Sequence, residues 1–166
     1  IAWSAGFQPL AVTPDEYSLS FDETAARIER RDGDIATTLD VIVDDGNVEL
    51  RRITLDNRGD QDRQIELTTY GELVLATAAS DAAHPAFSKI FVQTEFDEEQ
   101  QVLIATRRSR TPSEQRICVA QWLQFVGDAA ASDSALEFET DRLRFIGRGG
   151  SLRSAAALSG HARRSE

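Results

Sequence analysis

Cysteine is almost missing from this chain. The one cysteine, Cys118, excludes an internal disulfide and any cysteine-rich zinc site, and it fits a reducing compartment. Histidine is nearly as scarce, with only His84 and His161, too few for a histidine-based metal centre. No cofactor is expected. Positive charge is also in deficit: 18 lysines and arginines stand against 28 aspartates and glutamates, a net charge of −10. That balance excludes a nucleic-acid binder that works by phosphate neutralisation, and it excludes attachment to anionic lipid. Long apolar runs are absent too. Nothing approaches the ~20 residues needed to span a bilayer, so no direct membrane contact is expected. The opening residues lack the basic and apolar regions of a signal peptide. Lysine occurs once (Lys89), and the other basic residues are arginines, which reads as codon bias. There is no methionine, so the chain is expected to be a processed product or a piece of a longer one.

The composition is that of a globular domain. Of 166 residues, 41% are hydrophobic and 28% charged. A chain of this size buries roughly two thirds of its unfolded surface. Its dominant pattern is alternation with period two. Ile35, Leu39, Val41 and Val43 share one phase, with Thr37 among them. In residues 48–57 the phase slips: Val48 and Leu50 fall on one side, Ile53 and Leu55 on the other. The slip predicts a β-bulge near Arg51-Arg52. Residues 64–75 read as a long strand with Gly71 in its middle. Further strands are expected over 2–8, 17–21, 26–31, 90–96, 102–107 and 117–126. The last carries apolar residues in both phases, which predicts a central strand buried on both sides or one covered by another domain.

Turn chemistry separates these runs. Asp32-Gly33, Asp45-Gly46 and Arg58-Gly59 recur at intervals of thirteen residues. Asp-Gly between alternating segments is a hairpin signal, because glycine accepts positive φ without steric cost. No helix–strand alternation of the parallel kind occurs. The expected class is therefore all-β, an antiparallel β-sandwich. Pro85 keeps His84 extended, so no helix crosses that point. Residues 140–145 suit one helical turn capped by Thr140. The sandwich is expected over 1–150, with 151–166 a frayed tail.

Several segments form an ordered series that carries a resemblance. They are Arg30-Arg31-Asp32-Gly33-Asp34, Val48-Glu49-Leu50-Arg51-Arg52-Ile53-Thr54-Leu55-Asp56-Asn57 and Ile65-Glu66-Leu67-Thr68-Thr69-Tyr70-Gly71-Glu72. The series continues with Ala83-His84-Pro85-Ala86-Phe87-Ser88-Lys89 and closes on Glu139-Thr140-Asp141-Arg142-Leu143-Arg144-Phe145. Together they resemble the N-terminal β-sandwich of glycoside hydrolase family 94, formerly glycosyltransferase family 36. The resemblance is to the phosphorylase-like region of cyclic β-1,2-glucan synthases. It implies a supersandwich related to galactose-mutarotase-like domains, incomplete at both ends here. In that family the sandwich precedes an α/α barrel that performs inverting phosphorolysis of β-glucosidic bonds. The barrel is not in this sequence, so a non-catalytic domain in a cytoplasmic setting is implied. Its implied partners are a β-glucan or gluco-oligosaccharide and the barrel itself.

Candidate chemistry follows. The carboxylate pairs Asp15-Glu16, Asp44-Asp45 and Asp97-Glu98-Glu99 read as solvated turns, because adjacent strand residues point to opposite faces. The loop 81–89 combines an imidazole, an aromatic ring and a cation in His84, Phe87 and Lys89, the groups a sugar site needs. Alternatively, Phe87 plugs the sandwich end and His84 bonds locally. Arg142 and Arg148, beside Gly147, Gly149 and Gly150, suit either an anion cradle or an interdomain contact. Trp122 suits sugar stacking or an interdomain contact. No catalytic residue is assigned. Unpaired sheet edges predict a homodimer. The alternatives are a purely structural or oligomerising piece, and a stand-alone mutarotase-like enzyme, for which His84 lacks an acid–base partner.

Overall fold

The computed structural model describes residues 2–83, 89–109, 116–126 and 136–159. The strands there are β1 (Glu16–Phe21), β2 (Ala25–Asp32), β3 (Ile35–Asp44), β4 (Val48–Asn57), β5 (Val92–Asp97), β6 (Val102–Arg107) and β7 (Cys118–Trp122). They form two sheets, β1-β2-β3-β4 and β5-β6-β7. Every pairing is antiparallel, as the alternation predicts. The helical elements there include α1 (Ala78–Ala83), α2 (Arg142–Ile146) and two 3-10 turns, Leu152–Ser154 and Ala156–Ser159. The contacts divide the chain into two compact units, Ile1–Thr68 with Asp141–Ala162, and Thr69–Thr140 with Arg163–Glu166.

The first unit holds the four-stranded meander. Gly33-Asp34 joins β2 to β3, with Asp32 opposite Ile35. Gly33 takes φ +61°, the positive value that a two-residue hairpin loop needs at its first central position. The β3–β4 turn differs from expectation. Asp44 lies opposite Val48, so the loop is Asp45-Gly46-Asn47, and its left-handed residue is Asn47 at φ 60°. Asparagine tolerates that region, and a three-residue loop places it last. Arg58-Gly59 makes no hairpin. There the chain leaves the sheet, and the Gly59 N–H donates to Asn57 Oδ1 at 3.2 Å. A Cβ on Gly59 would lie 2.9 Å from Asp34 Oδ2, so close approach explains that glycine.

No bulge forms at Arg51-Arg52. The β3–β4 register runs unbroken from Ile35↔Asn57 to Asp44↔Val48. The phase slip is absorbed otherwise: Ile53 and Leu55 stay on the inner face, while Val48 and Leu50 join Ile42 on the outer face, exposed near the hairpin tip. The inner face carries Leu19, Ile28, Leu39 and Ile53 in one row and Tyr17, Arg30, Thr37 and Leu55 in the next.

An arginine among these inner residues organises the N-terminal segment. The Arg30 side chain is fully buried and forks onto Asp32, with Nε–Oδ2 at 2.7 Å and Nη2–Oδ1 at 2.6 Å. Its remaining N–H groups donate to the carbonyls of Ser4 (2.6 Å), Gly6 (3.0 Å) and Val12 (3.4 Å). All five guanidinium donors are thereby used. Trp3 Nε1 adds a bond to Thr37 Oγ1 at 3.4 Å. Residues 2–8 therefore do not form the predicted strand. Their backbone carbonyls serve the guanidinium instead of a ladder.

The same unit includes residues 141–159. Asp141, not Thr140, caps α2, accepting from the N–H groups of Leu143 (2.7 Å) and Arg144 (3.2 Å). Phe145, Ile146, Ala155 and Ala157 are buried. Within the tail expected over 151–166, the chain forms two 3-10 turns over 152–159, where small alanines allow close packing, and residues 160–166 lie outside the described residues.

In the second unit Ala105 and Arg107 of β6 are buried. Phe96 stacks on Phe138 with centroids 4.2 Å apart. The strand predicted over 64–75 is not formed. Side chains tie that segment down: Gln121 Nε2 donates to Thr69 Oγ1 at 3.0 Å and Arg107 Nη1 to the Val74 carbonyl at 3.1 Å. β7 pairs with β6 alone, so among the described residues it is an edge strand; of the two expectations for it, the central strand is not met there.

Candidate functional site

The sequence-predicted residues are spread over both units. His84 and Phe87 lie outside the described residues; α1 ends at Ala83, next to His84. Lys89 pairs with Glu72, whose other oxygen accepts from Tyr70 Oη at 2.7 Å. The lysine is thus part of a small charged array and not a lone cation. The Arg107 guanidinium lies 5.3 Å from the Phe91 ring centroid and that of Arg108 5.8 Å. Trp122 is 62% exposed at the end of β7, which makes it available for contact and removes it from the core of this chain.

Arg142 and Arg148 belong to the first unit, and both are exposed at α2 and the turn after it. The backbone there is already committed. Gly147 N–H donates to the Leu143 carbonyl at 2.8 Å and Gly150 N–H to the Gly147 carbonyl at 3.2 Å. Two of the donors that an anion cradle would use are spent on closing the helix.

The sequence reading missed a polar array on the outer face of the first sheet. Strand pairing sets Ser20, Arg27, Asp40 and Arg52 side by side in one cross-strand row. Arg27 forks onto Asp40, Nε–Oδ1 at 2.6 Å and Nη2–Oδ2 at 3.2 Å. Neighbouring rows hold Arg31 on Glu16 at 2.7 Å and Ser18 on Glu29 at 3.0 Å. A depression on this face is lined by Ser20, Arg27, Asp40, Ile42 and Arg52, while Phe21, opposite Ala26, has the inner-face phase of Tyr17 and Leu19. The alternation of Arg27, Glu29 and Arg31 along β2 is the signal that marks this face, but only register puts Asp40 and Arg52 beside Arg27.

The carboxyls of the array are held as anions. The Arg27 hydrogen bond lowers the Asp40 pKa below its ordinary value, and the Arg31 hydrogen bond does the same for Glu16. Asp22 is lowered by the backbone N–H groups of Thr24 and Ala25, which close the β1–β2 turn onto its Oδ1 at 2.9 and 2.8 Å. All three shifts run opposite to the upward shift that a general acid needs.

The sequence matches the family described as "Glycosyl hydrolase 94, supersandwich domain" over residues 1–166. The chain belongs to that family. It is also similar to the cyclic beta-(1,2)-glucan synthase NdvB of Rhizobium meliloti (strain 1021), at 37% identity over 157 residues and 94% of this chain. The chain spans only 5% of that synthase's length. The supersandwich family accounts for the two antiparallel sheets. Among the described residues no helix is long and apolar enough to cross a membrane, and no cluster of His, Cys, Asp and Glu is arranged to hold a metal.

Proposed function

We propose that this chain is a non-catalytic supersandwich domain that contacts β-glucan and scaffolds the catalytic barrel of a family-94-like enzyme. One observation carries the reading: the likeness to a cyclic beta-(1,2)-glucan synthase runs along nearly the whole chain while covering a small share of that protein. A segment in that relation to a long synthase acts as a part of it. The chemistry of the surface supports a contact role over a catalytic one. Its paired carboxyls are resting anions locked onto guanidinium groups, and its exposed aromatic residues, Trp122 and Phe21, are the kind that stack on sugar rings. The exposed free thiol of Cys118 suits the cytoplasmic setting that the reading implies.

The test is a titration of the 166-residue chain with linear β-1,2-gluco-oligosaccharides, read by amide chemical shifts. Saturable shifts at millimolar sugar are the expected result. A flat response leaves a purely structural role. Polarimetry on freshly dissolved glucose addresses the mutarotase alternative, and the expected rate is that of buffer alone.

A further inference from the structure

Strand register sorts the side chains of the second sheet onto two faces. Phe96, Leu103, Ala105, Arg107 and Val119 share the face that holds the buried residues. On the opposite, solvent face, Asp97, Val102 and Trp122 form one cross-strand row. Glu95, Ile104 and Ala120 form the next row, and Gln93, Thr106 and Cys118 the one after it. Trp122, 62% exposed, stands at the β7 end of the first row. We propose that this face binds a run of pyranose rings of a β-glucan, with Trp122 stacking on a C–H face and Asp97, Glu95 and Gln93 bonding the hydroxyls. The proposal rests on the carbohydrate-contact reading above and names where that contact is made.

The platform is an open row. From Asp97 to Trp122 it spans two inter-strand spacings, roughly 10 Å. Among the described residues β5 and β7 are both edges of the sheet, so a glucan chain can lie across the row and continue past either side. Pairing of β7 with another strand uses backbone groups and leaves this face open. Stacking needs an aromatic ring with low apolar neighbours, and Val102, Ile104 and Ala120 provide them beside Trp122. Hydroxyls need acceptors and donors held in place. Asp97 is half-buried, and its Oδ1 accepts the Gln100 N–H at 2.9 Å, which fixes the carboxylate and leaves Oδ2 to accept from a sugar. A carboxylate fixed in this way loses little rotamer freedom on binding. Glu95 and Gln93, exposed on the same strand, add a second acceptor and an amide that both donates and accepts.

The charge pattern selects a neutral, hydroxyl-rich ligand. The face carries Asp97 and Glu95, with Glu98 and Glu99 in the adjoining turn, and no lysine or arginine stands in its three rows. Among the described residues these carboxylates meet no cation at ion-pair distance, whereas Asp32, Asp40 and Glu16 of the first unit are each locked onto an arginine. The whole chain carries −10. An anion approaching the face meets like charges and a repulsive long-range field. A glucan meets neither penalty, and its hydroxyls donate to the open carboxylates.

The experiment is the same amide titration, repeated on Trp122→Ala and Trp122→Phe. The side chain lies on the solvent face, so the folded spectrum is expected to persist, and its dispersion is checked first. In the parent chain the largest shifts are expected within residues 93–97, 102–106 and 118–122. Trp122→Ala is expected to weaken binding roughly three- to tenfold, the range for a lost ring-stacking contact, and Trp122→Phe, which keeps a ring, about twofold at most. If Trp122→Ala binds as the parent does, or the shifts cluster around Tyr70, Glu72 and Lys89, this placement is overturned while the carbohydrate reading stands. If no residue responds to sugar, both fall. If the peptide Gly-Arg-Arg-Gly produces the same shifts at lower concentration than the sugar, the face serves a basic protein segment and the proposal is overturned.

Discussion

Arg30 illustrates how one residue sets the local structure. A charged side chain in the apolar phase of a strand is costly unless every donor is met. Here Asp32 takes two of the five N–H groups and three backbone carbonyls take the rest. The carbonyls belong to Ser4, Gly6 and Val12, so the guanidinium fastens the N-terminal segment to the sheet. Arg30→Ala removes that tie and leaves the half-buried Asp32 carboxylate without its partner. It is expected to cost about 3–5 kcal/mol in chemical denaturation, the range for breaking a buried pair. Trp3, bonded to Thr37, reports the release as a change in fluorescence. An unchanged unfolding midpoint would show that the segment is held by packing alone. The alternation marks Arg30 as sharing a phase with Ile28, but nothing local in sequence shows which carbonyls would reach it. They lie 18 to 26 positions away.

At the scale of the element, the meander was legible and its details were not. Alternation and Asp-Gly turns locate β2, β3 and β4 to within a residue or so, because side-chain period and turn chemistry are local properties. The β3–β4 turn shows the limit. Gly46 carries the sequence signal, whereas Asn47 carries the positive φ. Loop length decides this, and loop length follows from which residues pair. Asn47→Gly is therefore expected to leave stability equal or raise it by a few tenths of a kcal/mol, whereas Asn47→Val is expected to cost at least ~1 kcal/mol. Gly46→Ala is expected to be milder than Asn47→Val, since Asp44 Oδ2, 3.3 Å from the added Cβ, can move aside. Thermal unfolding of the three variants checks the order, and a larger loss at Gly46 would contradict the turn as described. The outer-face array was illegible for the same reason. Arg27, Asp40 and Arg52 are 13 and 12 positions apart and meet only through register.

For the whole molecule, the balance lies between a strong negative charge and an unguarded edge. Strands at sheet edges are protected by charged residues that discourage pairing with another chain. β4 carries Glu49, Arg51, Arg52 and Asp56, and β5 carries Glu95 and Asp97. β7, Cys-Val-Ala-Gln-Trp, carries no charge and ends on an exposed Trp122. Two copies are expected to pair along it, opposed by the repulsion of two −10 bodies. Light scattering at tens of micromolar is expected to give a dimer mass that becomes more populated as salt screens the charge. Ala120→Lys is expected to restore the monomer. A monomer at every salt concentration would contradict pairing at this edge.

From the sequence by itself came the all-β antiparallel class, the family, and the exclusion of disulfide and histidine–metal chemistry. The class and the exclusions rest on composition, period and turn residues, and the family on the resemblance of whole segments, all of them properties of neighbouring positions. Only the tertiary structure decided that Arg30 clamps the N-terminal segment, that β7 is an edge, and that Asp40 stands between two arginines. Each of these depends on which distant strands lie side by side, and a hydrogen-bonded register settles that only when the sheet closes.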